Sequence, residues 1–436
     1  MRIVNGGVVS NLLRAVGIPK MFPARQCFPR PLIVPAAIPD AVRAALARER
    51  PDDLIRPGMK VAITAGSRGI ANVGVMTRAI ADFVKARGAQ PFIVAAMGSH
   101  GGATAAGQAE ILAGFGITEA SMGCPVRSSM ETVLLGYSAL GAPVFCDKSA
   151  YEADGIIVSC RIKPHNAFRG RYESGPCKMM TVGLGKQKGA EAVHSAGMGV
   201  IARHIEASAR IFLEKAPVML ALVCIENAYD ETCKIEAIAK ADILTREPEL
   251  LTWAFSHMPR LLVGEGDVLI VDEIGKHYSG TGVDPNITGT FSTEYASGGV
   301  RVQRTCMLDL AAASQGNGLG TGLASAITRR LFDKLDTEKM YANSITSTVL
   351  KSAGIPLVLN SDREAIQLCI RTLNGADPAR LRLIRIANSL HIERIMLSEA
   401  YYQDTAAGRY EGLEALGGPD DMRFDAAGNL LTPIGG

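Results

Sequence analysis

The chain alternates between short apolar runs and amphipathic stretches from residue 59 onward. The runs at 59–64 and 89–97 are typical of buried strands, and residues 76–88 between them have helical spacing that ends at Gly88. Strands that alternate with helices in this way predict a parallel α/β sheet. Further along, the pattern predicts strands at 154–160 and 217–225 and helices at 186–194 and 200–213.

The pattern also divides the chain. The first 55 residues are rich in proline and predict irregular structure with one helix near 39–50. A helical stretch at 245–258 is followed by Pro259 and Gly264, where we place a domain boundary. Beyond it, the pattern predicts strands at 266–275 and 301–308, helices around 322–335 and 361–374, and short strands at 381–387 and 392–397.

We therefore predict two α/β domains with mainly parallel sheets. The N-terminal domain spans residues 1–260 and the C-terminal domain 261–400, and the tail, 401–436, is loosely ordered or packs across the domains. Ligands bind beyond the carboxyl ends of the strands in such sheets, so we expect the active site in the cleft between the domains.

Composition narrows the class of protein. A chain of 436 residues with 47% hydrophobic residues buries large cores and is not disordered. The net charge is +3 (46 basic minus 43 acidic residues) with no basic cluster, which argues against a nucleic-acid partner. No apolar run approaches the ~20 residues of a membrane span. The nine cysteines are scattered without a C-x-x-C pair, which favours the cytoplasm over disulfides or structural zinc.

Candidate chemistry lies in the loops that follow predicted strands. His100 and His165 each follow such a strand, and His194 ends the helical stretch after the second loop. One loop histidine is more often a solvated surface residue, but two at corresponding strand ends favour a site. Arg68 also follows a strand and is suited to grip a carboxylate with two parallel hydrogen bonds, although an exposed loop arginine is an equal alternative.

Residues 172–194 form the least ordinary segment. Lys178 stands beside an apolar run, where a lysine can act as a nucleophile or covalent anchor. Gly183, Gly185 and Lys186 are suited to present amides and charge to a phosphate at a helix start. The alternative for each lysine is a solvated charge. The P-loop, the dinucleotide fingerprint G-x-G-x-x-G and the zinc motif H-E-x-x-H are all absent.

In the second domain, Asp284 and Asn286 lie in a segment dense in turn-forming residues that follows a strand. Each is suited to bind a polar substrate group, but Asp-Pro-Asn is also a common turn. For either residue alone we favour the turn.

Taken in order, these residues resemble the nickel-dependent lactate racemase family. Arg68 follows the first core strand, His100 lies in a strand–Gly-Ser-His loop, and His165 lies in a Pro-His pair. Lys178 and His194 follow, sixteen positions apart (194 − 178 = 16), which is the family's interval. The resemblance covers most of residues 55–290.

The resemblance implies a cofactor and a set of roles. The family binds a nickel pincer nucleotide, a pyridinium mononucleotide whose two sulfurs and ring carbon hold nickel. His194 would be the nickel ligand and Lys178 the tether of the nucleotide. His100 and His165 would be the paired acid and base, and Arg68 would bind the substrate carboxylate.

We therefore predict a racemase or epimerase of a 2-hydroxy acid that works by proton-coupled hydride transfer to and from this cofactor. Departures from the lactate-specific members around Lys178 and in the second domain favour a larger or more polar acid than lactate. The alternatives are an oxidoreductase or dehydratase on the same cofactor, and a cofactor-binding protein without turnover. Expected partners are the hydroxy acid and cofactor-biosynthesis proteins, without nucleic acid or membrane; self-association stays open.

Overall fold

The computed structural model describes residues 7–431 and residue 434. Its strands, in chain order, are β1 (Met21–Gln26), β2 (Lys60–Ala65), β3 (Gln90–Ala95), β4 (Val126–Arg127), β5 (Thr132–Tyr137), β6 (Pro143–Asp147), β7 (Gly155–Arg161), β8 (Val218–Glu226), β9 (Thr232–Ala239), β10 (Val268–Ile274), β11 (Arg304–Leu310), β12 (Ala326–Thr328), β13 (Leu357–Leu359), β14 (Leu383–Ile386), β15 (Arg394–Ser398) and β16 (Leu413–Ala415).

The α-helices between them, also in chain order, are α1 (Val8–Arg14), α2 (Ile38–Ala47), α3 (Pro51–Leu54), α4 (Val73–Lys85), α5 (Ala105–Gly114), α6 (Glu119–Met122), α7 (Lys148–Tyr151), α8 (Pro176–Lys178), α9 (Lys186–His194), α10 (Ile201–Lys215), α11 (Ile243–His257), α12 (Pro285–Thr288), α13 (Arg329–Phe332), α14 (Thr337–Ser347), α15 (Asp362–Arg371) and α16 (Tyr402–Ala406). A π-helix, Met179–Leu184, joins α8 to α9, and short 3-10 turns complete the chain.

Residues 29–258 form one compact unit around a six-stranded sheet. The strand order is β4-β3-β2-β7-β8-β9, with every pair parallel except the last. Strands β2 and β3 are buried at every position after the first, as expected for a parallel sheet covered on both faces. Helix α4 buries Ile80 and Val84, one turn apart, against this core, which confirms the helical pattern predicted there.

Residues 7–28 and 259–431 form the second unit, around an eight-stranded sheet in the order β13-β12-β11-β10-β14-β15-β1-β16. The strands from β13 to β14 are parallel, and β15, β1 and β16 add antiparallel neighbours. The prediction of an α/β protein with mainly parallel sheets is confirmed.

The structure corrects the predicted domain limits at the N-terminus. Residues 7–28 belong to the second unit rather than to an N-terminal domain of 1–260, because β1 pairs with β15 and β16. Part of the predicted tail, 401–436, is strand β16 of the same sheet. Residues 1–6, 432–433 and 435–436 of the predicted segments lie outside the described residues.

Two further features concern other predictions. The helix expected around 322–335 is instead the strand β12 followed by the single turn α13, because Ala326 and Ile327 pair with β11 and are fully buried. Among the described residues, none of the helices combines the length and apolarity that crossing a membrane requires. The nine cysteines are all free thiols.

Candidate active site

The loops that carry three of the predicted site residues leave the same edge of one sheet. Strands β3, β2 and β7 are parallel neighbours, so their carboxyl ends lie side by side. The loop after β3 carries His100, the loop after β2 carries Arg68, and the loop after β7 carries His165. Arg68 thus follows the strand that lies between the other two.

The loop of His165 is held by a buried carboxylate. Glu173 is 1% exposed, and its Oε2 accepts from the backbone N–H of His165 at 2.6 Å while its Oε1 accepts from Gly170 at 3.2 Å. Arg169 lies 3.4 Å from the same carboxylate and donates to the His165 carbonyl at 2.7 Å. Burial raises the pKa of Glu173, and the amide of His165 and the charge of Arg169 oppose the shift.

The imidazole of His165 is fixed in one tautomer. Its Nδ1 lies 3.1 Å from the backbone N–H of Ala167, which can only donate, so the ring proton of the neutral form is on Nε2. The ring packs against Phe168 with centroids 4.2 Å apart and ring planes tilted by 30°. Burial, followed by the charges of Lys178 and His194, lowers the pKa of His165 well below its ordinary value.

Lys178 is the last residue of the short helix α8, and a buried carboxylate of α11 holds the start of this helix. Glu247 of α11 is 1% exposed and accepts from the backbone N–H of Cys177 at 2.9 Å. Gly175 leaves room for this carboxylate, because a Cβ there would lie 2.4 Å from Glu247 Oε1. The Lys178 ammonium lies 5.9 Å from the centre of the Phe168 ring, and burial, then the charge of Arg68, lowers its pKa to about 7.

His194 is the last residue of α9, and a hydrogen bond again shows which of its two ring nitrogens carries the lone pair. Nδ1 lies 2.7 Å from the carbonyl of Ala190, so it carries the proton and the lone pair is on Nε2. Burial and the charge of Lys178 lower its pKa, which keeps the imidazole neutral, although the bond to Ala190 opposes the shift.

Arg68 lies in a glycine-rich loop that is anchored at its far end. The backbone N–H of Ala71 donates to Glu226 Oε1 at 2.7 Å, and Glu226 also pairs with Arg161 at the end of β7. The Arg68 side chain is exposed to water. Desolvation by the surrounding protein nevertheless lowers the pKa of its guanidinium, and repulsion from the charge of Arg161 lowers that pKa further. Its charge in turn lowers the pKa of Lys178 and His165.

His100 begins a 3-10 turn on the third loop. Its Nδ1 lies 2.8 Å from the carbonyl of Met97, so Nδ1 carries the proton and Nε2 the lone pair. Gly98 precedes it with φ +58°, and a Cβ there would lie 3.1 Å from the carbonyl of Val182. The His100 loop therefore packs directly on the segment that leads to α9 and His194.

The structure corrects the prediction that Lys186 faces a phosphate. Its side chain is fully buried, 3.2 Å from Asp147 Oδ2 and 3.2 Å from Gln108 Oε1, and it also donates to the Ala95 carbonyl. The ammonium is therefore bound to protein groups and does not face a ligand. Lys186 is a buried residue that stabilises the structure around the site.

Gly183 and Gly185 are also corrected, because both are buried in close packing. A Cβ on Gly183 would lie 2.9 Å from the Ala96 carbonyl, and one on Gly185 would lie 2.1 Å from the Thr181 carbonyl. The carbonyl of Gly183 accepts from the N–H of Gly98 at 3.1 Å. These glycines let the π-helix approach β3, and they do not form an open phosphate cradle.

Asp284 and Asn286 lie in the second unit. Asp284 caps α12, and its Oδ1 accepts from the backbone N–H and the side chain of Asn286 at 3.0 and 2.9 Å. The turn that we favoured for these residues is confirmed. Their part in substrate binding stays a prediction.

Lys178 therefore lies within electrostatic reach of Arg68, His165 and His194, and the His100 loop leaves the same sheet edge. Within residues 7–431, no group of three or more His, Cys, Asp or Glu side chains is arranged to hold a metal ion.

Residues 28–205, which include these five side chains, match the family model of the lactate racemase N-terminal domain. This segment of the chain is therefore similar to the lactate racemase N-terminal domain. The predicted resemblance is thereby confirmed, and it supports an isomerase. No curated protein matches the chain.

Two solved structures show distant likeness. One is the lactate racemase apoprotein from Thermoanaerobacterium thermosaccharolyticum, 16% identical, with 81% of this chain and 82% of that chain covered and a TM-score of 0.45. The other is a protein from Thermotoga maritima, 12% identical, with 81% and 94% covered and a TM-score of 0.48.

The sequence did not point to the buried residues that hold this candidate site in place. Glu173, Glu247 and Gln108 contact backbone groups of the His165, Lys178 and His100 segments. Glu247 lies 70 positions from its partner Cys177, so no local spacing reveals it. A glutamate in the loop between His165 and Lys178 was the one available signal, and it marks Glu173.

Proposed function

We propose that the protein is an isomerase that racemises or epimerises a 2-hydroxy acid larger or more polar than lactate. The observation that carries the proposal is the cluster of two cations without ion-pair partners in the described part of the chain, Arg68 and Lys178, beside His165 and His194 in a lactate racemase N-terminal domain. Such a cluster favours an anionic ligand, and perturbed pKa values gather at functional sites.

The proposed cofactor is a nickel pincer nucleotide, and two side chains fit it. The Nε2 lone pair of His194 is suited to be a nickel ligand, because Nδ1 is already bonded to Ala190. Lys178, with a pKa of about 7, is partly neutral at neutral pH, as a covalent tether requires. When bound, the cofactor would accept and return hydride at the carbinol carbon.

The remaining residues bind the substrate and move its proton. Arg68 would hold the carboxylate through two parallel hydrogen bonds. His100 has its lone pair on Nε2, whereas His165 has its proton there, so the resting site holds one proton acceptor and one proton donor. This opposite assignment supports an acid/base pair that acts on the substrate hydroxyl.

The test is intact mass and metal analysis of protein produced together with the cofactor-synthesis proteins, which are the proposed partners. We expect one nickel and one added nucleotide mass per chain, and loss of nickel in His194→Ala but not in His257→Ala, a control at the last residue of α11. Absence of nickel and of added mass from the wild type would refute the cofactor assignment.

Turnover is tested separately with single enantiomers of a panel of 2-hydroxy acids, followed by chiral chromatography. We expect conversion to the other enantiomer without net formation of 2-oxo acid. Stoichiometric release of a 2-oxo acid would instead identify an oxidoreductase. The free thiols agree with the cytoplasmic location that we propose.

A further inference from the structure

We propose that Gln108 and Lys186 are positioning residues for His100. The side-chain amide of Gln108 holds the His100 loop, and the buried ammonium of Lys186 sets the orientation of that amide. The proposal deepens the proposed function, since it concerns one of the two acid/base residues, but the arrangement is a property of the protein without ligand.

The first link runs from Gln108 to the His100 loop. Gln108 is fully buried on α5, and its Nε2 donates to the carbonyls of Gly98 at 2.9 Å and His100 at 3.2 Å. The first carbonyl precedes Ser99 and the second follows His100. One amide nitrogen thus fixes the backbone on both sides of the Ser99–His100 pair.

The second link runs from Lys186 to Gln108. An amide can point either its oxygen or its nitrogen at a neighbour, and only one choice lets it donate to the loop carbonyls. The Lys186 ammonium can only donate, and it lies 3.2 Å from Gln108 Oε1. It therefore selects the orientation in which Nε2 faces the loop.

The third link explains why a charge is tolerated there. Asp147 is fully buried and its Oδ2 lies 3.2 Å from the ammonium, so the charge of Lys186 is balanced. Lys186 also adopts a left-handed backbone conformation, φ 54°, in which a non-glycine residue is strained. The bonds of its inward-pointing side chain offset this strain.

The catalytic consequence follows from the ring bond of His100. The carbonyl of Met97 holds Nδ1, so the position of Nε2 depends on the backbone from Met97 to His100, which Gln108 braces. A displacement of about 1 Å in a reacting group can lower a rate roughly 10²-fold. We therefore expect kcat to depend on Gln108 and Lys186, and KM to depend on Arg68.

Gln108→Glu is the sharpest test, because a carboxylate still accepts from Lys186 but cannot donate to Gly98 or His100. The second variant, Lys186→Met with Asp147→Asn, removes the charge pair as a unit and so avoids an unbalanced buried charge. The matched control is Gln26→Met, which removes another fully buried amide that bridges backbone groups, Ile392 and Leu262, in the other unit.

The first readout is the ¹⁵N signal of the His100 ring in histidine-labelled protein without cofactor, assigned with His100→Gln. We expect both test variants to shift or broaden it while the His165 signal and the control stay unchanged. In loaded enzyme we expect kcat to fall about 10²-fold with KM within about threefold.

An unchanged His100 signal in folded Gln108→Glu would overturn the proposal, and so would equal changes in His100 and His165. If the wild type shows no turnover with any hydroxy acid but the His100 signal responds as expected, the proposed function fails and the positioning role stands.

Discussion

The two parallel sheets end very differently at their carboxyl edges. In the unit of residues 259–431, Arg330 bridges Asp309 at 3.1 Å and Asp362 at 3.0 Å, so the charges at the carboxyl ends of β11, β12 and β13 are matched. In the unit of residues 29–258, Arg68 and Lys178 repel each other and make no ion pair within the described part of the chain.

The difference distinguishes charges that stabilise the fold through ion pairs from charges that are available to bind a ligand. Matched ions stabilise the edge that holds them, whereas the unmatched charge of Arg68 lowers the pKa of Lys178 and destabilises the edge that holds both. A fold retains such unfavourable contacts at functional sites. The predictions below test whether the two edges behave as this contrast requires.

The largest effect is expected from Arg68→Met. Loss of the carboxylate contact should lower kcat/KM for the hydroxy acid about 10²–10³-fold, the usual consequence of truncating one partner of a desolvated charge pair. The melting temperature should stay the same or rise, since repulsion with Lys178 and Arg161 is removed. Arg203→Met on α10 is the exposed control. A stability loss specific to Arg68→Met would contradict the claim that the charge of Arg68 destabilises this edge.

The next effect concerns Glu247, a buried carboxyl whose pKa burial raises to about 7 from an ordinary 4.5. The folded protein binds this proton more tightly than the unfolded chain, so wild-type stability falls as the pH rises from about 4.5 to 7. Glu247→Gln lacks this dependence, and its stability relative to wild type should rise by at most roughly 3 kcal/mol over that window.

Urea unfolding at pH 5 and pH 8 measures this difference for Glu247→Gln. Glu249→Gln, on the exposed side of the same helix, is the control and should show a much smaller change with pH. A difference for Glu247→Gln that falls as the pH rises would mean that this carboxyl is charged in the folded protein.

The smallest effect is expected from Arg330→Met at the matched edge. It leaves the buried Asp362 without its cation, but Arg330 is itself partly exposed, so we expect a loss of about 2 kcal/mol in the free energy of unfolding. Thermal and urea unfolding measure it against Arg371→Met, an exposed control. A loss no larger than that of the control would mean that the matched edge is not stabilised by its ion pairs.

The sequence predicted the local elements of the unit of residues 29–258 well. Helix α9 is found at the predicted residues 186–194, and β7 and β8 are displaced by one residue, because buried strands and amphipathic helices have a local periodicity. The loop positions of Arg68, His100 and His165 followed from those strands. The order β3-β2-β7 then brought their loops to one edge.

What the sequence missed depends on partners far along the chain. Lys186 looks like a solvated or phosphate-binding charge until Asp147 and Gln108 are known to surround it. Strand β1 contains Pro23 and two polar residues, and it pairs with β15 and β16 near the other end of the chain. Neither local propensity nor spacing reveals such contacts.

The position of β1 has a consequence for synthesis on the ribosome. Arg25 of β1 pairs with Arg394, so 394 − 25 = 369 residues must be added before the strand meets its partner. At roughly 5–20 residues per second this takes about 20–75 s, during which residues 29–258 can already fold as a unit. During this time Met21 and Phe22, both buried in the complete fold, lie in a segment that has no strand partner. Pro23 lacks an N–H to donate and Arg25 carries a charge, so the unpaired segment is a poor template for pairing with another nascent chain.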